Sequence, residues 1–361
     1  VIESALGGTG NVVLELAEHL SQSGFRLGVI YSERRLDETF RLGIQRLTGL
    51  GIEIQSVPLH PYRGPKGLLS SMKLLKAWSA RYDVLHLHGF WAGLFGRLAR
   101  KPRTPIIYSP HGGSFHPQGN ILYRAARTLE RIAARRTNMI VVSSTYEADR
   151  VHSVVRDRGI VRTIPHGRVA DLQVRQMQVA PAELRFGVIG RLVREKRHDL
   201  ALDAWKLVTN RIPGASLVII GDGPLTAHLR DRIKSERLQR VKMLGFVNSK
   251  AEIYNSIDVL LLLSDSEASP LVIAEAQSFG IPAIVTDSEG ATAWVEDGVD
   301  GLIVQRGNPQ ALAKAMVTLA ESAALYETCA KGAASSVVRT PTWADQSEHY
   351  SSLYADLWSQ R

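Results

Sequence analysis

Twelve short runs of aliphatic and β-branched residues recur along the chain, each separated from the next by a stretch with helical spacing. That alternation restricts the fold to parallel strands joined by crossover helices, because parallel neighbours cannot be linked by a tight turn. The first series predicts strands near 27–31, 53–57, 83–88, 105–109, 139–143 and 161–164. A second predicts strands near 185–190, 215–220, 240–244, 258–263, 282–286 and 302–304. Between them the chain is polar and irregular. The fold class is therefore α/β, with two Rossmann-like parallel-sheet domains facing across a cleft. The expected division is 1–167, a linker over 168–183, a second domain over 184–342, and a helix over 343–361 crossing back toward the first domain.

A chain of 361 residues is long enough for each domain to bury its own core. With 45% hydrophobic and 22% charged residues it is not a disordered chain. A single cysteine, Cys329, excludes an intrachain disulfide and a cysteine-built zinc site, and no metal site is expected. No run approaches the ~18 apolar residues of a transmembrane helix, and no signal peptide is legible. Only Val1 and Ile2 precede the first glycine turn as strand residues, so the N-terminus reads as trimmed, with a missing leader left open.

The net charge of +9 is lopsided: residues 1–170 carry 24 Lys and Arg against 12 Asp and Glu, and the remainder carries 20 against 23. A basic first half points to an anionic partner. Nucleic acid is disfavoured, because aromatic residues are not interleaved with the basic ones. An anionic membrane surface fits better, and Lys66–Arg81 and Arg124–Arg136 are the amphipathic stretches that could lie on it. Both read more simply as ordinary sheet-covering helices with a solvated basic side.

The most informative stretch for chemistry is 264–280, SDSEASPLVIAEAQSFG. Glu267 falls in the loop after a strand, and Glu275 on the helix that follows, with Ser269 expected as N-cap and Pro270 as first helical residue. Both carboxylates can then face the crevice at the carboxyl end of the sheet, where open α/β sheets bind ligands. Two acceptor-only groups there suit a polyhydroxylated ligand.

Other segments fall at the same kind of position. Gly7-Gly8-Thr9-Gly10 opens a helix expected over Asn11–Ser21, where backbone amides can meet a phosphate; a plain strand–helix turn explains it as well. Gly190-Arg191-Leu192-Val193-Arg194-Glu195-Lys196-Arg197 places four cations after a strand. Arg191 and Lys196 are the pair expected to point inward at a diphosphate, and Arg194 and Arg197 the pair expected to face solvent. Gly221-Asp222-Gly223-Pro224 needs its glycines for a tight turn and offers a backbone contact to ligand. His111 precedes two glycines that would let a ligand come close. His86 and His88 alternate on one strand and share a face, without a third metal ligand near them in sequence.

In this order, Gly7-Gly8-Thr9-Gly10, His111, Arg191 with Lys196, Gly221–Pro224, Leu244-Gly245-Phe246 and Glu267 with Glu275 resemble the retaining GT-B glycosyltransferases of family GT4. The resemblance spans nearly the whole chain and is most specific from 264 to 304. It implies that Glu275 holds the nucleotide ribose and Glu267 the hydroxyls of the transferred sugar, with Ser269, Pro270 and Leu271 also binding the donor. Arg191 and Lys196 would neutralise the diphosphate, helped by the backbone of Gly8, Thr9 and Gly10 and by Gly221. Leu244 to Val247, including Phe246, would lie beside the base. His111 would meet the donor sugar near the reacting carbon, with His111, Glu267, Arg191 and Lys196 as the catalytic set. The family needs no metal or cofactor beyond a UDP- or GDP-sugar. The chain departs from it at Ala268, where glycine is common, and at His166, where asparagine is.

Around His88–Trp91 and Tyr108–Phe115 the chain is similar to bacterial polysaccharide-assembly members. They imply a glycan or polyprenyl-diphosphate-linked acceptor on the first domain, and a cytoplasmic protein peripheral to the inner membrane face. Two rival expectations are a catalytically silent nucleotide-sugar-binding protein and a GT-B epimerase acting on the donor itself.

Overall fold

The computed structural model describes residues 1–2, 7–32, 36, 38–57, 59, 64–99, 104–112, 115, 121–156, 158–168 and 183–359. Gly113 and nearly all of the expected linker lie outside them. The chain forms two units, Val1–Gly167 with Pro341–Arg361, and Arg168–Thr340.

In the first unit helices and strands alternate as expected. Helix α1 (Gly7–Gln22) leads to β1 (Gly28–Ser32), α2 (Glu38–Gly49) to β2 (Glu53–Val57), and α3 (Gly64–Ser79) to β3 (Leu85–His88). Then come α4 (Phe90–Ala99) and β4 (Ile106–Ser109), α5 (Ile121–Ala134) and β5 (Met139–Val142), α6 (Thr145–His152) and β6 (Val161–Thr163). All pairings are parallel, in the orders β1-β2 and β3-β4-β5-β6. Ile2 joins the two ladders: its N–H donates to Ile30 O at 2.9 Å, and its carbonyl accepts from Ser32 N–H at 3.1 Å. On the other side His88 N–H donates to Val1 O at 2.8 Å. Ile2 is fully buried, as a residue flanked by strands on both sides must be.

Helix α1 begins four residues before the expected start, so Gly7–Gly10 form its first turn instead of preceding it. Gly7 sits at φ +60°, a backbone that glycine adopts without a Cβ penalty.

The second unit runs β7 (Arg185–Ile189), α7 (His198–Val208), β8 (Ser216–Ile220), α8 (Thr226–Ser235), β9 (Val241–Gly245) and α9 (Lys250–Asn255). It continues with β10 (Val259–Leu262), α10 (Leu271–Ser278), β11 (Ala283–Thr286), α11 (Glu289–Thr292), β12 (Gly301–Val304), α12 (Pro309–Glu321) and α13 (Ala323–Ser336). The parallel sheet has the order β12-β11-β10-β7-β8-β9. All four residues of β10 are buried, because helices cover both faces of a central strand. At its start Asp258 takes a bidentate grip from Arg185, with Nε and Nη2 each at 2.8 Å, which ties β10 to β7.

Helix α14 (Trp343–Ser359) belongs to the first unit. Tyr350, Leu353 and Leu357 bury themselves with Leu16 and Leu20 of α1, and Ile107 and Val141 of the sheet.

Candidate active site

The second unit's strand order reverses between β7 and β10: the chain moves outward from β7 to β9, then returns to build β10 to β12 on the other side. The loops leaving those two strands diverge, and the crevice between them is the natural ligand position of such a sheet. Glycines let the neighbouring loops close up beside it. Gly221, at φ +133°, would place a Cβ 2.0 Å from Gly190 O, and Gly223 one 2.7 Å from Leu192 O. The turn after β8 is thus a packing requirement first.

Across the switch point Lys196 Nζ lies 2.5 Å from Glu267 Oε1. The Glu267 side chain is only 11% exposed, so the pair is a charge-assisted contact at the crevice wall, not a solvated surface bridge. Gly290 of α11 backs the loop, since a Cβ there would come within 1.9 Å of Glu267 O. Glu275 is held as well: Lys250 Nζ is 2.9 Å from Oε1, and the buried Tyr254 hydroxyl donates to Oε2 at 2.7 Å. Lys250 and Tyr254 stand four apart on α9, one face of one helix. Sequence reading passed over both, although that spacing is visible in it.

Two expectations need correction. Pro270, not Ser269, takes the N-cap position of α10, and the helix starts at Leu271. Ser269 Oγ caps nothing; it is buried without a hydrogen-bond partner, as are the hydroxyls of Ser264 and Ser288 nearby in sequence and sheet order. Pro270 is itself extended, at φ −77° and ψ 100°, so it lies outside the helix and the serine stands one residue too early to cap it. The first turn of α10 has no side-chain cap. Arg197, expected in solvent, is drawn into ion pairs with Asp199 at 3.2 Å and Asp265 at 3.0 Å, on a left-handed backbone of φ +52°. Arg191, expected to point inward, is exposed, and so is Arg194, expected in solvent. Leu244 within β9 and Phe246 just past it are exposed, while Val247 packs on the core.

The first unit holds a column of four histidines. His86 and His88 of β3 have ring centroids 4.0 Å apart, His88 and His111 5.3 Å, and His111 and His166 5.8 Å. His111 follows β4 at φ +52° and is held there through Gly112, whose N–H donates to Glu147 Oε1 at 2.7 Å. Glu147 also accepts from Ser143 N–H and Oγ, so one buried carboxylate clamps the loops after β4 and β5 together. Among the described residues no histidine, cysteine or carboxylate cluster is arranged to hold a metal ion.

Burial disfavours the charged imidazoles: it lowers His111 to about 4 and His166 to about 3, and His86 and His88 well below the usual range. Unfolded histidines titrate near ~6.5, so between those values unfolding takes up protons and stability falls as pH falls. Burial raises the Glu147 carboxyl and works the other way, so the fall is what the four histidines leave after it. We expect the melting midpoint to drop by several degrees from pH 7 to pH 5. A thermal-melt series across that range checks this, and a flat midpoint would contradict it.

Two family models match the chain. Residues 7–167 match the glycosyl transferase 4-like domain, and residues 173–336 match glycosyl transferases group 1. The chain belongs to the group 1, GT4-type glycosyltransferases. It is 27% identical over 278 residues to the Escherichia coli UDP-Gal:alpha-D-GlcNAc-diphosphoundecaprenol alpha-1,3-galactosyltransferase, covering 72% of this chain and 71% of that one. It is 29% identical over 295 residues to the putative Bacillus subtilis glycosyltransferase EpsF, covering 78% and 76%. In fold it is similar to Anabaena HepE, solved with UDP and glucose, at TM-score 0.78 and 18% identity over 98% of this chain and 99% of that one. This glycosyltransferase therefore has the GT-B fold of two Rossmann-like domains.

Proposed function

We propose that this glycosyltransferase moves a hexose from a UDP- or GDP-sugar to a hydroxyl of a polyprenyl-diphosphate-linked glycan, with retention at the anomeric carbon and without a metal. The observation that carries the reading is the pair of braced carboxylates, Glu267 on Lys196 and Glu275 on Lys250 and Tyr254, at the switch point. Glu275 accepts from the ribose hydroxyls and Glu267 from those of the sugar. The hydroxyl of Ser269 and the uncapped start of α10, at Pro270 and Leu271, add contacts to the same ligand. Phe246 and Val247 serve the base. In the second unit Arg191 and Lys196 take the diphosphate with the Gly221 amide; in the first unit the amides of Gly8, Thr9 and Gly10 are the anion contacts and His111 the sugar contact.

The chemistry follows from those charges. As the C1–O bond to the diphosphate breaks, negative charge grows on the leaving oxygen, and fixed cations stabilise it in place of a metal ion. The acceptor hydroxyl oxygen bonds to C1 on the same face, and its proton passes to the leaving phosphate oxygen. No protein nucleophile takes part in this scheme. The relative in E. coli supports a lipid-diphosphate acceptor by its name. The test is incubation with UDP- and GDP-hexoses, a polyprenyl-diphosphate-linked sugar and EDTA, with the product's anomeric configuration read by NMR. An α-donor giving an α-product supports the reading; inversion, or a requirement for metal, would overturn that part.

A peripheral place on an anionic membrane belongs to the same proposal. On α5, Leu129 and Ile132 are 42% and 59% exposed, with Arg124 and Arg131 on the helix and Arg135 and Arg136 just past it. Exposed aliphatics ringed by arginines suit the headgroup boundary. No described helix is long and apolar enough to cross a membrane. At about 1 kcal/mol per basic residue, the double variant Arg131→Glu/Arg135→Glu should weaken sedimentation with phosphatidylglycerol vesicles about tenfold or more. Equal sedimentation of variant and wild type would remove α5 from the membrane contact.

A further inference from the structure

His111 stands on a left-handed backbone at φ +52°, a conformation that is costly for a non-glycine residue and persists only where its surroundings impose it. Glu147 fixes the backbone through Gly112, but that does not orient the ring. The ring has its own partner: His88 Nδ1 lies 3.0 Å from His111 Nε2, with the ring planes 18° apart. His88 is 4% exposed and cannot drift, because its neighbour His86 is anchored by Tyr354 Oη at 2.7 Å and Ser109 Oγ at 2.9 Å.

We infer that His88 is a positioning residue: its bond to His111 Nε2 locks the imidazole, so that Nδ1 is the nitrogen left to meet the ligand. Two neutral imidazoles carry one N–H each, and a single N–H···N bond consumes one donor and one acceptor. The tautomers of the two rings are therefore coupled. If His88 donates, His111 carries its proton on Nδ1 and offers the ligand a donor; if His111 donates, it offers a bare lone pair. Either way the choice is made at His88, and the ring cannot flip without breaking the bond. The inference rests on the proposed role of His111 and adds the residue that sets it.

Two measurements test it. In the full chain with ¹⁵N-labelled histidine, the hydrogen bond should give a scalar coupling between His88 Nδ1 and His111 Nε2. In kinetics, His88→Leu keeps the bulk and burial but removes the nitrogen. It should lower kcat about tenfold or more while the donor KM stays within about twofold, because misplacement of a reacting group is felt in the transition state. His88→Asn, whose amide reaches about where Nδ1 lies, should recover most of the loss. Wild-type kcat in His88→Leu, with His111→Ala impaired, would overturn the positioning role. Wild-type kcat in His111→Ala would instead overturn the reading beneath it. Should His88→Leu fail to fold, the coupling in the wild type and the rate of His88→Asn decide: no coupling, or an Asn variant as slow as His111→Ala, is the contrary result.

Discussion

Exchanging Glu267 for glutamine is expected to leave the protein folded and to reduce kcat/KM for sugar transfer by about 100-fold or more. Glutamine keeps the shape of the loop, and Gly290 still backs it, so the melting midpoint should move little. What is lost is a charged acceptor, 2.5 Å from Lys196, at a crevice wall where hydrogen bonds to an ionised group contribute about 1.5–3 kcal/mol each. The variant also leaves Lys196 without the carboxylate that fixes it, so the cation is no longer held where charge grows on the departing diphosphate. We therefore expect most of the loss in kcat and a smaller change in donor affinity. Steady-state kinetics with the cognate donor checks this. A Glu267→Gln enzyme within a few-fold of wild type would mean that the carboxylate braces the loop and nothing more.

The second large effect is structural and lies in the first unit. Arg97 and Glu130 are each 1% exposed and joined at 2.7 Å, with the Tyr108 hydroxyl on the other carboxylate oxygen at 2.7 Å. Arg97 Nε also donates to Gly93 O, and its guanidinium lies over the Tyr108 ring at 4.2 Å. Helices α4 and α5 and strand β4 meet at this cluster. Glu130→Ala strands a buried guanidinium, which should cost about 3–5 kcal/mol. Replacing the whole cluster at once, in the triple variant Arg97→Met, Glu130→Leu and Tyr108→Phe, should restore most of that, because paired charges gain little over well-packed apolar groups. Urea unfolding of the single and triple variants tests both statements. A single variant near wild-type stability would show that water reaches Arg97.

The strand series was readable because each run is short, apolar and bounded by turn residues. From Gly28–Ser32 to Gly301–Val304 every strand falls within two residues of its expected start. Glu267 and Glu275 were readable as a pair because the loop after one strand and the helix that follows it carry them. The groups that brace them come from elsewhere: Lys250 and Tyr254 arrive from α9, brought to Glu275 by the order of the sheet. The start of α10 was misread at Ser269, because Pro270 takes an extended backbone and not the first helical position. Arg197 was misread because its partners, Asp199 and Asp265, are two and 68 residues away. The histidine column was half visible. His86 and His88 alternate on one strand, but His111 and His166 join them only through strand order and a left-handed turn.

The most direct test of a nucleotide-sugar site at the β7–β10 switch point is a thermal-shift titration with UDP, GDP and ADP in the presence of EDTA. A ligand at 100 times its dissociation constant adds roughly 2.7 kcal/mol of stability. We predict that UDP or GDP raises the midpoint of the wild type, and that the shift is lost in both Glu275→Ala and Lys196→Ala. Absence of a shift with every nucleotide, or a shift that both variants retain in full, would contradict the site.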